Sequence, residues 1–236
     1  MGAQRQFPKL IQGSIQLLRR RSTRGFSYVN VLAANGTLPA VLNFTGFPGQ
    51  LAAVYALTNQ REDTYNSVEV AIRQPLKGRY EWMLSYTRSR ALSNAVLEPS
   101  IDQPLTVTDN TGALPWDAPN RLLSWGYLPT GWKNWAVAYL LDWHSGFPFS
   151  VQDQSGQLVG AVDDHRFRQF FELNFFVERQ LVVRGYRLAL RAGFNNITGH
   201  SNPNVVDNVV GGPMYLQQYG GQSRALNFRL RLLGRQ

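Results

Sequence analysis

The chain has 236 residues, enough for one large all-β domain or two small ones. Charged residues are 17%, against about 25% in ordinary soluble domains, and aromatics are 12%, yet the mean hydropathy is slightly negative. That combination excludes a helical membrane protein and suits a wall with one face in lipid and one in water. The net charge of +9 comes almost entirely from arginines scattered along extended segments, with Arg19-Arg20-Arg21 the single run, so no nucleic-acid partner is expected. The lack of cysteine removes disulfides, thiolate zinc sites and cysteine nucleophiles.

Met1–Phe26 has no apolar signal-peptide core, and Arg19–Arg24 stands where a cleavage site would fall, so no signal peptide is expected. Leu10–Arg19 alternates weakly through Ile11, Ile15 and Leu17 and reads as a first strand. Gly25–Ala33 reads as a second, joined to the first by an arginine-rich turn. A long connection, Ala34–Asp63, follows, with Leu51–Ala56 a candidate strand extension inside it. Gly25–Gln60 carries no charge, but Gly36, Pro39, Gly46, Pro48 and Gly49 punctuate it, so it holds no stretch of about 20 apolar residues able to cross a membrane as a helix.

From Tyr65 the period-two pattern is clear. Val68, Val70 and Ile72 oppose Ser67, Glu69 and Arg73; Tyr80, Trp82, Leu84 and Tyr86 oppose Arg79, Glu81, Ser85 and Thr87. Leu123, Trp125 and Tyr127 oppose Ser124 and Gly126, with the former set taken as the lipid face. In Trp135–His144 the bulky face is Trp135, Val137, Tyr139, Leu141 and Trp143, against Ala136, Ala138, Leu140, Asp142 and His144. Phe171, Leu173, Phe175 and Val177 oppose Glu172, Asn174 and Glu178; Leu188, Leu190, Ala192 and Phe194 oppose Arg187, Arg191 and Asn195; Leu226, Phe228, Leu230 and Leu232 oppose Asn227, Arg229 and Arg231.

The connections alternate in length. The short set is about Pro75–Gly78, Thr130–Lys133 and Leu181–Gly185; the long set is Ala91–Pro119, Ser145–Phe167 and Ile197–Gly221. Tight turns on one rim and long loops on the other define the transmembrane β-barrel, and loops this long are usually functional or mobile. The fold expected is therefore all-β, an antiparallel transmembrane β-barrel segment of about 8–10 strands, nine by count. One domain spans residues 1–236, with a strand-poor stretch over 1–63, a clear meander over 64–236 and no plug. If the last strand ends at the periplasmic rim, nine strands start the first one outside. A bacterial barrel with an even number and both ends inside would then need strands upstream.

Alternation alone also fits a soluble β-sandwich binding module, or a self-contained small outer-membrane barrel. A small barrel predicts a ladder between first and last strands; a sandwich predicts Trp135, Tyr139 and Trp143 buried by protein. Two features favour the membrane wall. Full charges occupy mid-strand positions that a packed core rarely accepts. Tyr and Trp recur near strand ends (Tyr80, Trp82, Trp125, Tyr127, Trp132, Trp135, Trp143), where an interfacial girdle would place them.

Several phrases carry a family resemblance. Tyr65-Asn66-Ser67-Val68-Glu69-Val70, Leu84-Ser85-Tyr86-Thr87-Arg88-Ser89-Arg90-Ala91, Trp116-Asp117-Ala118-Pro119-Asn120-Arg121, Ser145-Gly146-Phe147-Pro148-Phe149-Ser150 and Phe194-Asn195-Asn196-Ile197-Thr198-Gly199-His200-Ser201-Asn202-Pro203 follow one another in a fixed order. Together they resemble the C-terminal part of the barrel of TonB-dependent outer-membrane receptors, especially the Oar-like ones, with Asn120 in place of the family's usual His. The resemblance implies the outer membrane of a Gram-negative bacterium, contact with its lipid, and uptake of an unknown solute. It implies TonB as a partner only where a plug precedes the barrel. The chain is too short for the family's 22 strands and ends in Gln236 instead of an aromatic residue, so it corresponds to a fragment, whose open strand edges would invite aggregation.

The candidate site residues are the inward polar row: Glu69, Arg73, Glu81, Asp142, Glu172, Glu178, Arg187, Arg191, Arg229 and Arg231. They face the solute path or simply hydrate the lumen and pair across strands. Trp116, Phe147, Phe149 and Tyr215 are the candidate solute contacts in the long loops. No enzyme activity is expected, because no nucleophile context supports a triad. No cofactor is expected either. Asp163-Asp164-His165 with Asp153 reads as solvated loop more readily than as a cation site. The sequons at Asn43-Phe44-Thr45 and Asn196-Ile197-Thr198 are coincidental in such a protein.

Overall fold

A computed structural model describes residues 1–30, 55–95, 97–98, 105–106, 111–156 and 158–235. The sequon at Asn43 and most of the candidate extension Leu51–Ala56 lie outside them. Nine strands form the path of one antiparallel sheet, each paired to the next in sequence: β1 (Gly2–Gln6), β2 (Gln12–Asn30), β3 (Tyr55–Pro75), β4 (Glu81–Ser93), β5 (Asn120–Pro129), β6 (Trp135–His144), β7 (Phe170–Val183), β8 (Tyr186–Asn195) and β9 (Ala225–Arg235). A two-residue strand, Gly112–Ala113, adds to the end of β4. Among the described residues no helix is long and apolar enough to cross a membrane. No ladder joins β1 to β9 among them, so the sheet is open, not a closed barrel.

The connection rhythm holds. Residues 7–11, 76–80, 130–134 and 184–185 turn at one rim, and the strand ends joined by connections of 24 residues or more stand at the other. The tightest turn shows why. Arg184 and Gly185 have φ of 49° and 78°, the paired positive values of a type I′ turn, whose twist matches that of the strands it joins.

The N-terminal reading needs correction. Leu10–Arg19 and Gly25–Ala33 are not two strands about a turn. Gln12–Asn30 is one strand, β2, that runs through the arginines; Leu10 ends the 3-10 turn before it, and residues 31–33 of the second candidate lie outside the described residues. Arg19, Arg20 and Arg21 sit opposite Asn66, Tyr65 and Thr64, and Arg21 pairs with Glu62 at 2.6 Å. An irregularity between Ser22 and Ser27, where Arg24 has φ of 61°, absorbs the mismatch as a β-bulge does. The expected count of nine is kept by β1, which the sequence reading did not find. It pairs with β2 from Gly2↔Gln16 to Gln6↔Gln12.

Register divides the sheet into two faces. One carries Ile15, Leu17, Val68, Val70, Ile72, Trp82, Leu84, Tyr86, Val137, Tyr139, Leu141, Leu173, Phe175, Leu190, Phe194 and the β9 row. No second layer covers it among the described residues: on β9, Leu226, Phe228, Leu230 and Leu232 are 58–68% exposed. Trp135, Tyr139 and Trp143 are half-buried, by neighbours in the same sheet. The other face carries the charges. A conventional hydrophobic core is missing from the sheet: the buried apolar residues of its strands are Ala91, Ala136, Ala138 and Ala189, and the largest fully buried side chain is Glu178.

β5 breaks the expected phase. Leu123 lies between Ser85 and Asp142, and Tyr127 between Glu81 and Ala138. Leu123, Trp125 and Tyr127 therefore share the charged face, and Leu122, Ser124, Gly126 and Leu128 the apolar one. The reason is packing. A Cβ at Gly126 would come within 2.5 Å of the Tyr139 ring and 3.2 Å of Trp82 Cβ, so glycine leaves the hollow that these aromatics fill. Tyr80 also leaves the apolar set, for its ring stacks on Tyr127 at 5.2 Å.

The turn yields a prediction. Arg184→Asn keeps the left-handed backbone at lower strain and should raise stability by about 0.5–1 kcal/mol, while Gly185→Val should lower it by about 1–2 kcal/mol. Urea midpoints of the folded chain check both; opposite shifts would contradict the turn assignment.

Candidate functional site

The charged face closes around one side chain. Glu178 on β7 is 1% exposed. Its Oε1 accepts from the Tyr127 hydroxyl on β5 at 2.8 Å, and its Oε2 from Arg231 Nη2 on β9 at 2.8 Å. Arg79 Nη2 lies 3.7 Å from Oε1, and its guanidinium packs over the rings of Tyr80 and Tyr127. Tyr127 and Arg231 each stand two strands from Glu178, about 10 Å in a flat sheet. The strands between offer Ala136 and Ala138 on one side and, on the other, Ala189 opposite Arg231 beside Arg191 opposite Glu178. Those alanines are buried because the long side chains close over them.

All ten inward candidates fall on this face, but they do not form one site. Arg73 pairs with Glu81 across the β3–β4 hairpin. Asp142 receives both Arg121 Nε and Nη2, at 3.2 and 2.7 Å. Arg191 stacks on the Phe176 ring at 4.1 Å and sits opposite Arg229. Glu172 lies opposite Asp142, and Glu69 between Gln16 and Thr87. Arg187 is exposed at the start of β8. The sequence reading missed Arg79, Arg121 and Tyr127, each paired with a residue on another strand.

At the other rim the long connections are braced together. Pro148–Phe149 pairs with His165–Arg166, and Val205–Val206 with Gln218–Tyr219. Gln152 bridges Leu158 and Val209, and Asn208 Nδ2 donates to the Ser150 carbonyl at 2.8 Å. Arg166 spans to Asp117, donating to its carboxylate at 2.6 Å and its carbonyl at 2.9 Å, while Asp117 Oδ1 accepts from Ala91 N. This loop cap stands over a cleft of about 1070 Å³ bounded by Leu18, Ser67, Ser89, Asp117, Val162 and Arg166.

The loop candidates separate. Trp116 is 54% exposed and meets the Tyr65 ring at 5.6 Å, above the charged face. It lines a second hollow of about 280 Å³ with Glu69 and Arg121. Phe147 is exposed beside His144, and Tyr215 is exposed in the turn that follows Gly212. Phe149 is 9% exposed and packs on Phe167 and His165, so it holds the cap together instead of facing solute. The acidic loop residues diverge: Asp163 is buried and accepts from Ser150 Oγ, Asp164 pairs with His165 and Asp153 caps Ser155.

Glu178→Ala should cost roughly 2–4 kcal/mol, because it strands a tyrosine hydroxyl and a guanidinium on a partly closed surface. Tyr127→Phe should cost about 1.5 kcal/mol, and the pair should be non-additive in urea unfolding. Additive or negligible effects would show that the bridge contributes nothing.

No family model matches the chain, and no curated protein matches it.

Proposed function

We propose that this chain forms part of the wall of an outer-membrane β-barrel in a Gram-negative bacterium, of the TonB-dependent receptor type, and contributes external loops to solute uptake. The observation that carries this reading is the uncovered apolar face. On β2–β4 and β6–β9 it presents Ile15, Val70, Leu84, Tyr139, Phe175, Leu190 and Phe228 with no protein layer against them among the described residues, while the opposite face holds charges in ion pairs. A soluble protein rarely leaves a contiguous apolar patch beyond a few hundred Å². A sandwich would need a second sheet against this one, and none lies among the described residues.

Dimensions support the same reading. A tilted transmembrane strand needs about 9–11 residues, and β4 to β9 run from 10 to 14. On β6 the apolar face runs from Trp135 to Trp143, about 26 Å along the strand, close to the height of a barrel's apolar band between aromatic girdles. Trp135 sits at the short-turn rim, beneath the Arg179 guanidinium, and Trp143 at the long-loop rim, bonded to Gln169.

In this arrangement the Glu178 seam and the pairs Arg73–Glu81 and Arg121–Asp142 line a hydrated lumen. The braced cap, with Trp116 lining the second hollow beside it, is the part positioned to meet solute. The role is passive: the chain seals lipid from a polar path, and any coupling to an inner-membrane motor would act through a plug. The edges of β1 and β9 are where further strands would add.

Membrane fractionation tests the reading. The expressed chain should stay with outer membranes through high-salt and alkaline washes and leave only with detergent. Release by buffer or salt alone would overturn it.

A further inference from the structure

Resting on the membrane reading, we infer that the apolar face carries a site for a phosphate-bearing lipid headgroup, built from Arg19, Arg88 and Arg90. On that face Arg19 stands opposite Asn66, and Asn66 opposite Arg90, so the two arginines flank one cross-strand row. Arg88 lies one row nearer the middle, opposite Val68, which faces Leu17 in turn. The next row is Ile15, Val70, Tyr86 and Leu122. Three cations thus cap a strip of exposed aliphatic side chains on three adjacent strands, at the end of that strip nearer the long connections.

The charges are uncompensated. Among the described residues no carboxylate pairs with Arg19, Arg88 or Arg90, and all three are exposed. Arg21, one row further from the apolar band, differs in having Glu62 as its partner. Arg88 is also oriented: its Nη1 donates to Asn120 Oδ1 at 2.7 Å, and the same oxygen accepts from the Tyr86 hydroxyl at 2.7 Å. Elsewhere along this rim the face ends in aromatics, Trp143, Phe171 and Phe194, without such a cluster.

The ligand chemistry follows from the two halves of the surface. A guanidinium is a planar fork that matches phosphate oxygens. The row from Arg19 to Arg90 spans two strand spacings, about 10 Å, within reach of one headgroup. Below it, Leu17, Val68, Ile15 and Val70 offer a track for acyl chains. An amphiphile satisfies both halves, and a free phosphate only the first.

The test titrates the full chain in neutral detergent micelles with a phosphomonoester lipid of the phosphatidic acid type, with phosphatidylcholine and inorganic phosphate as parallel probes. Two triple variants are compared. R19Q/R88Q/R90Q removes the site. R5Q/R179Q/R235Q removes the same charge from the opposite rim, where the arginines stack on Phe7, Trp135 and Tyr186. The first should weaken binding of the phosphomonoester lipid about tenfold or more, and the second less than about twofold. Inorganic phosphate should neither bind comparably nor compete. Equal losses in both variants, unchanged binding in the first, or tight binding of phosphate alone would overturn the site while leaving the membrane wall intact. A chain that stays soluble and monomeric without detergent, and enters neither neutral nor charged micelles, would overturn the membrane wall and the site with it.

Discussion

A sheet one layer thick has two faces and no material of its own to cover either. In this protein the strand period of two sorts large apolar side chains to one face and charged or small ones to the other on β2–β4 and β6–β9, while β5 turns Leu123, Trp125 and Tyr127 to the charged side. Burial in protein cannot stabilise it, since the apolar face has no layer against it and the buried apolar side chains of the strands are alanines. On the proposed reading two solvents do that work. Hydrocarbon takes one face, water takes the other, and the backbone hydrogen bonds are satisfied strand to strand, as a membrane demands.

The charged face is tied together across strands. Glu178 holds Tyr127 and Arg231, each two strands away. Ala136, Ala138 and Ala189 leave room for these reaches, and Arg191, opposite Glu178, turns aside onto the Phe176 ring. Gly126 plays the matching role on the apolar face, where the Tyr139 ring closes over it. The loop cap completes the arrangement at the far rim. Its braces are polar and specific, Arg166 to Asp117 and Asn208 to Ser150, so connections long enough to be mobile carry defined contacts instead.

Much of this was legible in the chain. Six of the seven strands after Tyr65 announce their faces by alternation, and every polar candidate from Glu69 to Arg231 lies on the face that the alternation assigns. The failures have physical causes. In β5 the more apolar set, Leu123, Trp125 and Tyr127, looks toward the charged side, because its register with Ser85 and Asp142 outweighs its composition. Composition cannot report register. The arginine run from Arg19 to Arg24 read as a turn because charge clusters often mark one. It contains no Pro or Asn and only Gly25 beyond it, and Asn66, Tyr65 and Thr64 were waiting opposite to extend the strand. The partners of Glu178 and Asp117 lie about 50 residues away in sequence, so neither pairing leaves a local signal. Phe149 looked like a solute contact by its place in a loop, but local packing against Phe167 claims it.

The central claim is that the two faces of one sheet meet different solvents, and the absence of cysteine makes it directly measurable. Single cysteines placed at Val70, Leu190 and Phe228 on the apolar face, and at Thr87, Ala71 and Asn227 on the charged face, can be challenged with a water-soluble thiol reagent in reconstituted vesicles. The account predicts modification at Thr87, Ala71 and Asn227, and protection at Val70, Leu190 and Phe228 that detergent unfolding abolishes. Equal labelling of both sets, or protection of the charged face with the apolar face open to reagent, would contradict it.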